Sequence, residues 1–235
     1  MEKSKIISPI KLSVILPCQN EEDSLATCIE TILKIFQDHS IAGEIIISDS
    51  SSDRSPEIAR SYDVKLVKHD KDGYGNAYLE GFQAAQGKYI FMADADGTYD
   101  FAEIPRFLKT LEEGADFVIG NRFSGQMDKD AMPWLHKYVG NPILSFLLRW
   151  FFKANVQDVH CGMRAIRKSS LENLNLQTAG MEFASEMVIK AIKKDLKIKE
   201  FPINYHVRSG ESKLRSIPDG WRHLRFMLLY SPDYL

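Results

Sequence analysis

Two carboxylates separated by a single residue, Asp94 and Asp96, follow the apolar run Tyr89 to Ala93. An extended chain sends alternate side chains to the same side, so both can face one ligand. Hard divalent cations take oxygen ligands and share substrate phosphates; two carboxylate oxygens with a diphosphate suit Mg2+ or Mn2+. The plainer reading is a strand ending in a polar turn, and other residues must decide between the two. Further polar groups fall where strand ends are expected: Asn20 with Glu21, Asp49, and Asn121 with Arg122. The planar fork of Arg122 can grip a phosphate, although a surface arginine is the alternative.

These residues need a scaffold that brings strand ends together. The chain has 235 residues, 44% hydrophobic and 26% charged, enough for one sizeable core. A net charge of −2 and the absence of any RNA- or DNA-reading motif argue against a nucleic-acid partner. Cys18, Cys28 and Cys161 are odd in number and lack metal-ligand spacing, which suits a reduced compartment. The charged start leads into a brief Ile-Ile-Ser-Pro rather than a signal peptide's apolar region, and no window of about 20 apolar residues occurs.

Strands are expected at Ser13 to Leu16, Glu44 to Ser48, Val64 to Val67, Tyr89 to Ala93 and Asp116 to Ile119. Between them, Asn20 can cap a helix striped by Leu25, Ile29, Ile32 and Phe36, and Ser55-Pro56 opens another. The glycines of the Lys71 to Asn76 loop let the backbone approach a ligand before a third helix, though a tight turn alone also explains them. Phe101, Ile104, Leu108 and Leu111 stripe a fourth. Repeated strand–helix alternation predicts an α/β fold, a mostly parallel sheet with helices on both faces. In such sheets ligands bind beyond the carboxyl ends of the strands, which gathers the polar residues at one edge.

In order and spacing, Pro17 to Glu22, Asp49 to Asp53, Gly73 to Tyr78, Asp94 to Asp96, Gly120 to Arg122, Asp158 to Arg164 and Arg208 to Leu214 resemble inverting nucleotide-sugar glycosyltransferases of the GT-A (Rossmann-like) fold. The most similar subgroup is the dolichol-phosphate mannosyltransferases and related polyprenyl-phosphate glycosyltransferases. The resemblance implies transfer from GDP-mannose or a UDP-hexose to a dolichyl or undecaprenyl phosphate, at the cytoplasmic face of a membrane. It implies that Pro17, Gln19, Asn20, Glu21, Asp49, Lys71 and Gly75 hold the base and ribose, while Asp94 and Ala95 face the nucleotide. Asp96 would bind Mg2+ or Mn2+, with Thr98 standing where the subgroup often has Gln. Asp96 and Arg122 would carry turnover. Arg122 and Lys137 would hold the acceptor phosphate, and Arg208 and Lys213 would contact phosphate from a basic loop.

From Ala131 to Gln157 no acidic residue occurs, while Lys137, Arg149 and Lys153 accompany Trp134, Phe146, Trp150, Phe151 and Phe152. Pro142 to Phe152 reads as an interfacial helix with cations at the headgroups; a buried core helix is the alternative. Trp221 to Tyr230 mixes aromatics, cations and aliphatics in the same way. A single catalytic domain is therefore expected over residues 1–235, with 133–153 and 219–235 as membrane-interface segments. Met163 to Ile166 and Lys197 to Tyr205 should be strands, the latter at an edge because of Pro202. Glu182 can orient a sugar hydroxyl or sit in a helix's first turn. Competing readings are a transferase acting on a glycan hydroxyl, which needs a base, a nucleotidyltransferase, and a non-catalytic nucleotide-binding adaptor.

Overall fold

The computed structural model of the chain describes residues 9–210 and 216–229. Seven strands form one sheet in the order β3-β2-β1-β4-β6-β5-β7. They are β1 Leu12–Cys18, β2 Gly43–Asp49, β3 Lys65–Lys68, β4 Tyr89–Met92, β5 Phe117–Asn121, β6 Arg164–Arg167 and β7 Ile198–Pro202. All neighbouring pairs are parallel except those of β6, which runs against β4 and β5. β1 and β4 are central and buried almost throughout, which is why their sequences are near-continuous apolar runs rather than alternating ones.

Helices cover both faces. α1 Leu25–Asp38, α2 Ser55–Arg60 and α4 Ile104–Glu112 lie on one side; α3 Tyr74–Ala84, α6 Lys168–Leu174 and α7 Phe183–Lys193 lie on the other. α1 buries Leu25, Cys28, Ile29, Ile32, Ile35 and Phe36, the three-and-four spacing of one helical face. On α4, Ile104, Phe107, Leu108 and Leu111 do the same, and Phe107 meets Phe91 of β4 edge-on at 5.3 Å. Each such side chain contributes about 1.5–3 kcal/mol on burial, so the two layers clamp the sheet and hold its loops in place.

The structure corrects several local readings. Asn20 does not cap α1: it adopts a left-handed φ of 58°, and α1 starts at Leu25. The edge strand β7 stops at Pro202 rather than Tyr205. The segment before Pro142 opens as a π-helical turn, His136–Gly140, leading into α5 Asn141–Phe152. α5 is neither fully buried nor fully exposed. It turns Ser145, Leu148 and Phe152 inward, packs against α7 and α8 Ser216–Leu229, and leaves Ile143, Phe146 and Trp150 outside. Among the described residues no helix is long and apolar enough to cross a membrane.

Candidate active site at the carboxyl edge of the sheet

Strand register assembles the site. Cys18 of β1 pairs with Asp49 of β2, and Asp49 with Lys68 of β3. β1 also pairs with β4 as far as Ile15 and Met92. The residues after β4 therefore rise beside the Pro17 to Glu21 segment. Ser24 Oγ donates to the Ala95 carbonyl at 2.7 Å, fastening the Asp94–Asp96 loop to the start of α1. Asn20 accepts at Oδ1 from Ser52 N at 2.8 Å and Asp53 N at 3.3 Å, and its own N donates to Ser51 Oγ at 2.8 Å. Glu21 N donates to Ser55 Oγ at 3.0 Å. The two loops thus form one hydrogen-bonded rim, with Gln19 exposed on it and Pro17 half-buried.

At the centre sit the carboxylates. Asp96 is 4% exposed; its Oδ1 accepts from Thr98 N at 3.0 Å and Thr98 Oγ1 at 2.6 Å, while Oδ2 lies 3.3 Å from Arg208 Nη2. Thr98, expected beside the metal, donates its hydroxyl proton to Asp96 and so aims that carboxylate. Asp94 Oδ1 is shielded from solvent and has no hydrogen-bond partner among the described residues. Burial pushes the Asp94 carboxyl up to about 7, helped by the charge of Asp96 and opposed by Arg208, the Tyr74 hydroxyl and Arg122. An orphaned carboxylate oxygen beside a second carboxylate fits a divalent cation. Among the described residues no group of three or more His, Cys, Asp or Glu is gathered to hold one, so further oxygen ligands would have to come from substrate phosphate or water.

Asp49 is fully buried, with Oδ1 accepting from Ser51 N at 3.3 Å and Oδ2 lying 3.7 Å from Lys68 Nζ. Lys71 ion-pairs with Glu80 and borders a groove of about 550 Å³ between α3 and α6. That groove runs to Ile90 and Lys168, and Lys71 is engaged there by Glu80 of α3. Gly75 is also differently engaged. A Cβ there would lie 2.0 Å from the Thr178 carbonyl oxygen, and one on Gly73 would lie 2.3 Å from that of Ala179. The close approach these glycines permit is to the chain's own 178–180 loop. Glu186 holds that loop by accepting from Gln177 N, Thr178 N and Thr178 Oγ1.

Arg122 is buried and bidentate on Asp158, Nε to Oδ2 at 2.7 Å and Nη2 to Oδ1 at 2.8 Å. Burial alone would lower its pKa, but Asp158's charge and hydrogen bonds hold it well above the usual value. Its first task is therefore anchoring the turn after β5. Lys137, half-buried in the π-helical turn, stacks its ammonium 5.5 Å from the Tyr138 ring. The neighbouring His136 is held below its usual pKa by burial and by the charge of Arg122, which puts this turn beside the site. Arg208 reaches both Asp96 and Glu21, whereas Lys213 lies outside the described residues.

Some site residues escape the sequence reading. Tyr99 Oη accepts from Gly162 N at 2.7 Å. A Cβ on Gly162 would meet Tyr99 Oη, Asp94 Oδ2 and Tyr74 Oη at 2.9–3.1 Å. Tyr74, Tyr99 and Gly162 thus wall Asp94 in; glycines within the quoted Gly73 and Asp158 motifs are the signal that could have marked them. His160, two residues before Gly162, hydrogen-bonds Ser185 Oγ through Nε2 at 3.1 Å.

Parallel strands with carboxylates and cations gathered at their carboxyl edge, interrupted by one reversed strand, are the arrangement of the GT-A fold. Residues 13–174 match the family described as Glycosyl transferase family 2, and the chain belongs to it. It is 48% identical over 225 residues to the low-salt glycan biosynthesis hexosyltransferase Agl6 of Haloferax volcanii, covering 95% of this chain and 54% of that protein. The chain thus spans about half of the Agl6 length. A dolichyl-phosphate hexose transferase of the same organism is 30% identical, with 89% of each chain covered. Among solved structures, glucosyl-3-phosphoglycerate synthase of Mycobacterium tuberculosis, in complex with Mn2+ and UDP, superposes with a TM-score of 0.72 at 20% identity, covering 95% of this chain and 81% of that one.

Proposed function

We propose that the chain moves one sugar, with inversion, from a nucleoside diphosphate to a polyprenyl phosphate at the cytoplasmic face of a membrane. The observation that carries this is an apolar face beside the carboxylate edge. Trp134, Tyr138, Ile143, Phe146 and Trp150 are exposed on the π-helical turn, α5 and the segment before them, while Trp221 and Leu229 are exposed on α8, which packs against both. Such a face suits contact with lipid, so the site would open where an acceptor's headgroup emerges. Relatives named for dolichyl-phosphate transfer support the acceptor, and neighbours holding Mn2+ or Mg2+ support a divalent cation. Three free, buried cysteines suit a reducing compartment.

Asp94 and Asp96 would hold the cation, which when bound would offset charge developing on the departing nucleoside diphosphate. The rim from Pro17 to Asn20, with Asp49, would orient base and ribose. A phosphate monoester has a second pKa of about 6, so the acceptor oxygen is largely dianionic at neutral pH and attacks without a base. The protein must instead position that dianion. Lys137 is the cation assigned to it, while Arg122, fixed by Asp158, anchors the turn after β5. The test supplies GDP-mannose, UDP-glucose or UDP-N-acetylhexosamines with a short polyprenyl phosphate and Mn2+ or Mg2+. A glycolipid is expected; transfer only to a glycan hydroxyl would replace this reading.

A further inference from the structure

Arg208 Nη2 lies 3.3 Å from Glu21 Oε1 and 3.3 Å from Asp96 Oδ2, so one guanidinium nitrogen joins carboxylates that follow two adjacent strands, β1 and β4. Glu21 is 8% exposed and Asp96 4%. Two shielded carboxylates of like charge repel unless a cation stands between them. Because Thr98 occupies Asp96 Oδ1 twice, Oδ2 is the oxygen turned to Arg208. A metal ion ligated by Asp96 and the Arg208 guanidinium would contend for the same atom.

The backbone around Arg208 is fixed independently of its side chain. His206 N donates to the Thr98 carbonyl and Ser209 N to that of Asp96, both at 2.9 Å, and Tyr205 bridges to Tyr99. Gly210, at a φ of +81°, turns the strap across Glu21, 4.0 Å from where its Cβ would be. Arg208 is therefore carried by a docked strap and can exchange partners by rotating its side chain, one quarter of which is exposed. Its Nε is shielded and has no acceptor among the described residues, a donor available to a second anion.

We propose that Arg208 is the site's own counter-cation: it bridges Glu21 and Asp96 in the absence of substrate and transfers to the diphosphate as a divalent cation takes Asp96. This rests on the proposed donor. It explains how a site with only two metal-facing carboxylates favours metal arriving with nucleotide over metal alone, because free metal must displace Arg208 without offering it a phosphate. Removing the guanidinium then has opposite effects on the two ligands.

The experiment measures Mn2+ binding alone, by the spin-resonance signal of the free ion, and UDP and GDP binding with Mn2+ present, for wild type, Arg208→Gln and Arg208→Lys. The expected result is an Mn2+ affinity about tenfold higher in Arg208→Gln without nucleotide, within the usual span of a coupling between sites. Nucleotide affinity should fall by a similar factor, and Arg208→Lys should recover part of both. Melting in chelator should drop for Arg208→Gln and be restored by Mn2+ alone. Mn2+ affinity that is unchanged or weaker in Arg208→Gln overturns the inference, whatever the nucleotide does. Failure of the wild type to bind any nucleoside diphosphate would instead overturn the proposed function.

Discussion

Arg122 shows how a residue's type can be legible while its task is not. An arginine after a strand end suggests phosphate binding, but its partner Asp158 is 36 residues away, and only the reversed strand β6 brings the two together. Removing one member of a buried pair leaves an uncompensated charge, at a cost of about 3–5 kcal/mol. Asp158→Ala is therefore expected to lower the unfolding free energy by about that amount in urea titrations, whereas Lys109→Ala, which breaks an exposed pair with Glu113, should change it by less than about 1 kcal/mol. Gly75 carries a second expectation. Alanine there would press its methyl onto a backbone oxygen, which cannot rotate away as a side chain can. Gly75→Ala should lower the melting temperature and loosen the 178–180 loop, seen as faster hydrogen exchange at Asn76, whose N donates to Ala179 O. The sequence points to backbone crowding at Gly75 but not to the crowding partner, since glycine signals close approach without naming what approaches.

At the scale of elements, the anchoring of α8 depends on two uncharged histidines. His160 Nε2 and His223 Nδ1 share Ser185 Oγ, at 3.1 and 2.8 Å, tying the loop before β6 to α7 and α8. Burial lowers His223 to about 4, with Arg164's charge adding, and burial with His223, Arg164 and Arg122 lowers His160. A histidine whose folded pKa lies below its unfolded value contributes stability that is complete above about 6.5 and is lost as pH falls towards 4. For His223 this amounts to roughly 3 kcal/mol. Denaturation midpoints should therefore drop between pH 6.5 and 4, and His223→Gln should flatten the drop; an equal slope in that variant would assign it to other groups. Strand positions such as β1 and β4 are legible because a run buried on both faces has one reading. The reversal of β6 is not, because four residues show the same pattern in either direction, and Asn20 misleads because its side chain suits a cap and a left-handed turn equally.

For the molecule as a whole, the aromatic face sets the expectation. If Trp134, Trp150 and Trp221 enter lipid, the purified protein should co-sediment with anionic vesicles and its tryptophan emission should shift to the blue. Each nearby cation contributes about 1 kcal/mol, so binding should weaken with salt and with Arg149→Glu. Binding that is absent at every salt concentration would return this face to a protein partner. The amphipathic pattern of 142–152 is legible in sequence, but whether its apolar side turns inward or outward is not; α5 does both, because its buried face is needed for α7 and α8. The reversed β6 has one more result. The chain leaves the sheet at Asn121 and returns at Arg164 on the neighbouring strand, where Gly120 N and Met163 O are 3.0 Å apart. Everything between starts and finishes at nearly one point, so its length and shape can change while the strands stay put. Residues 122–163 are thus a closed excursion from the sheet, pinned at its base by the Arg122–Asp158 pair, and a change in length at its outer turns leaves the strand register as it is.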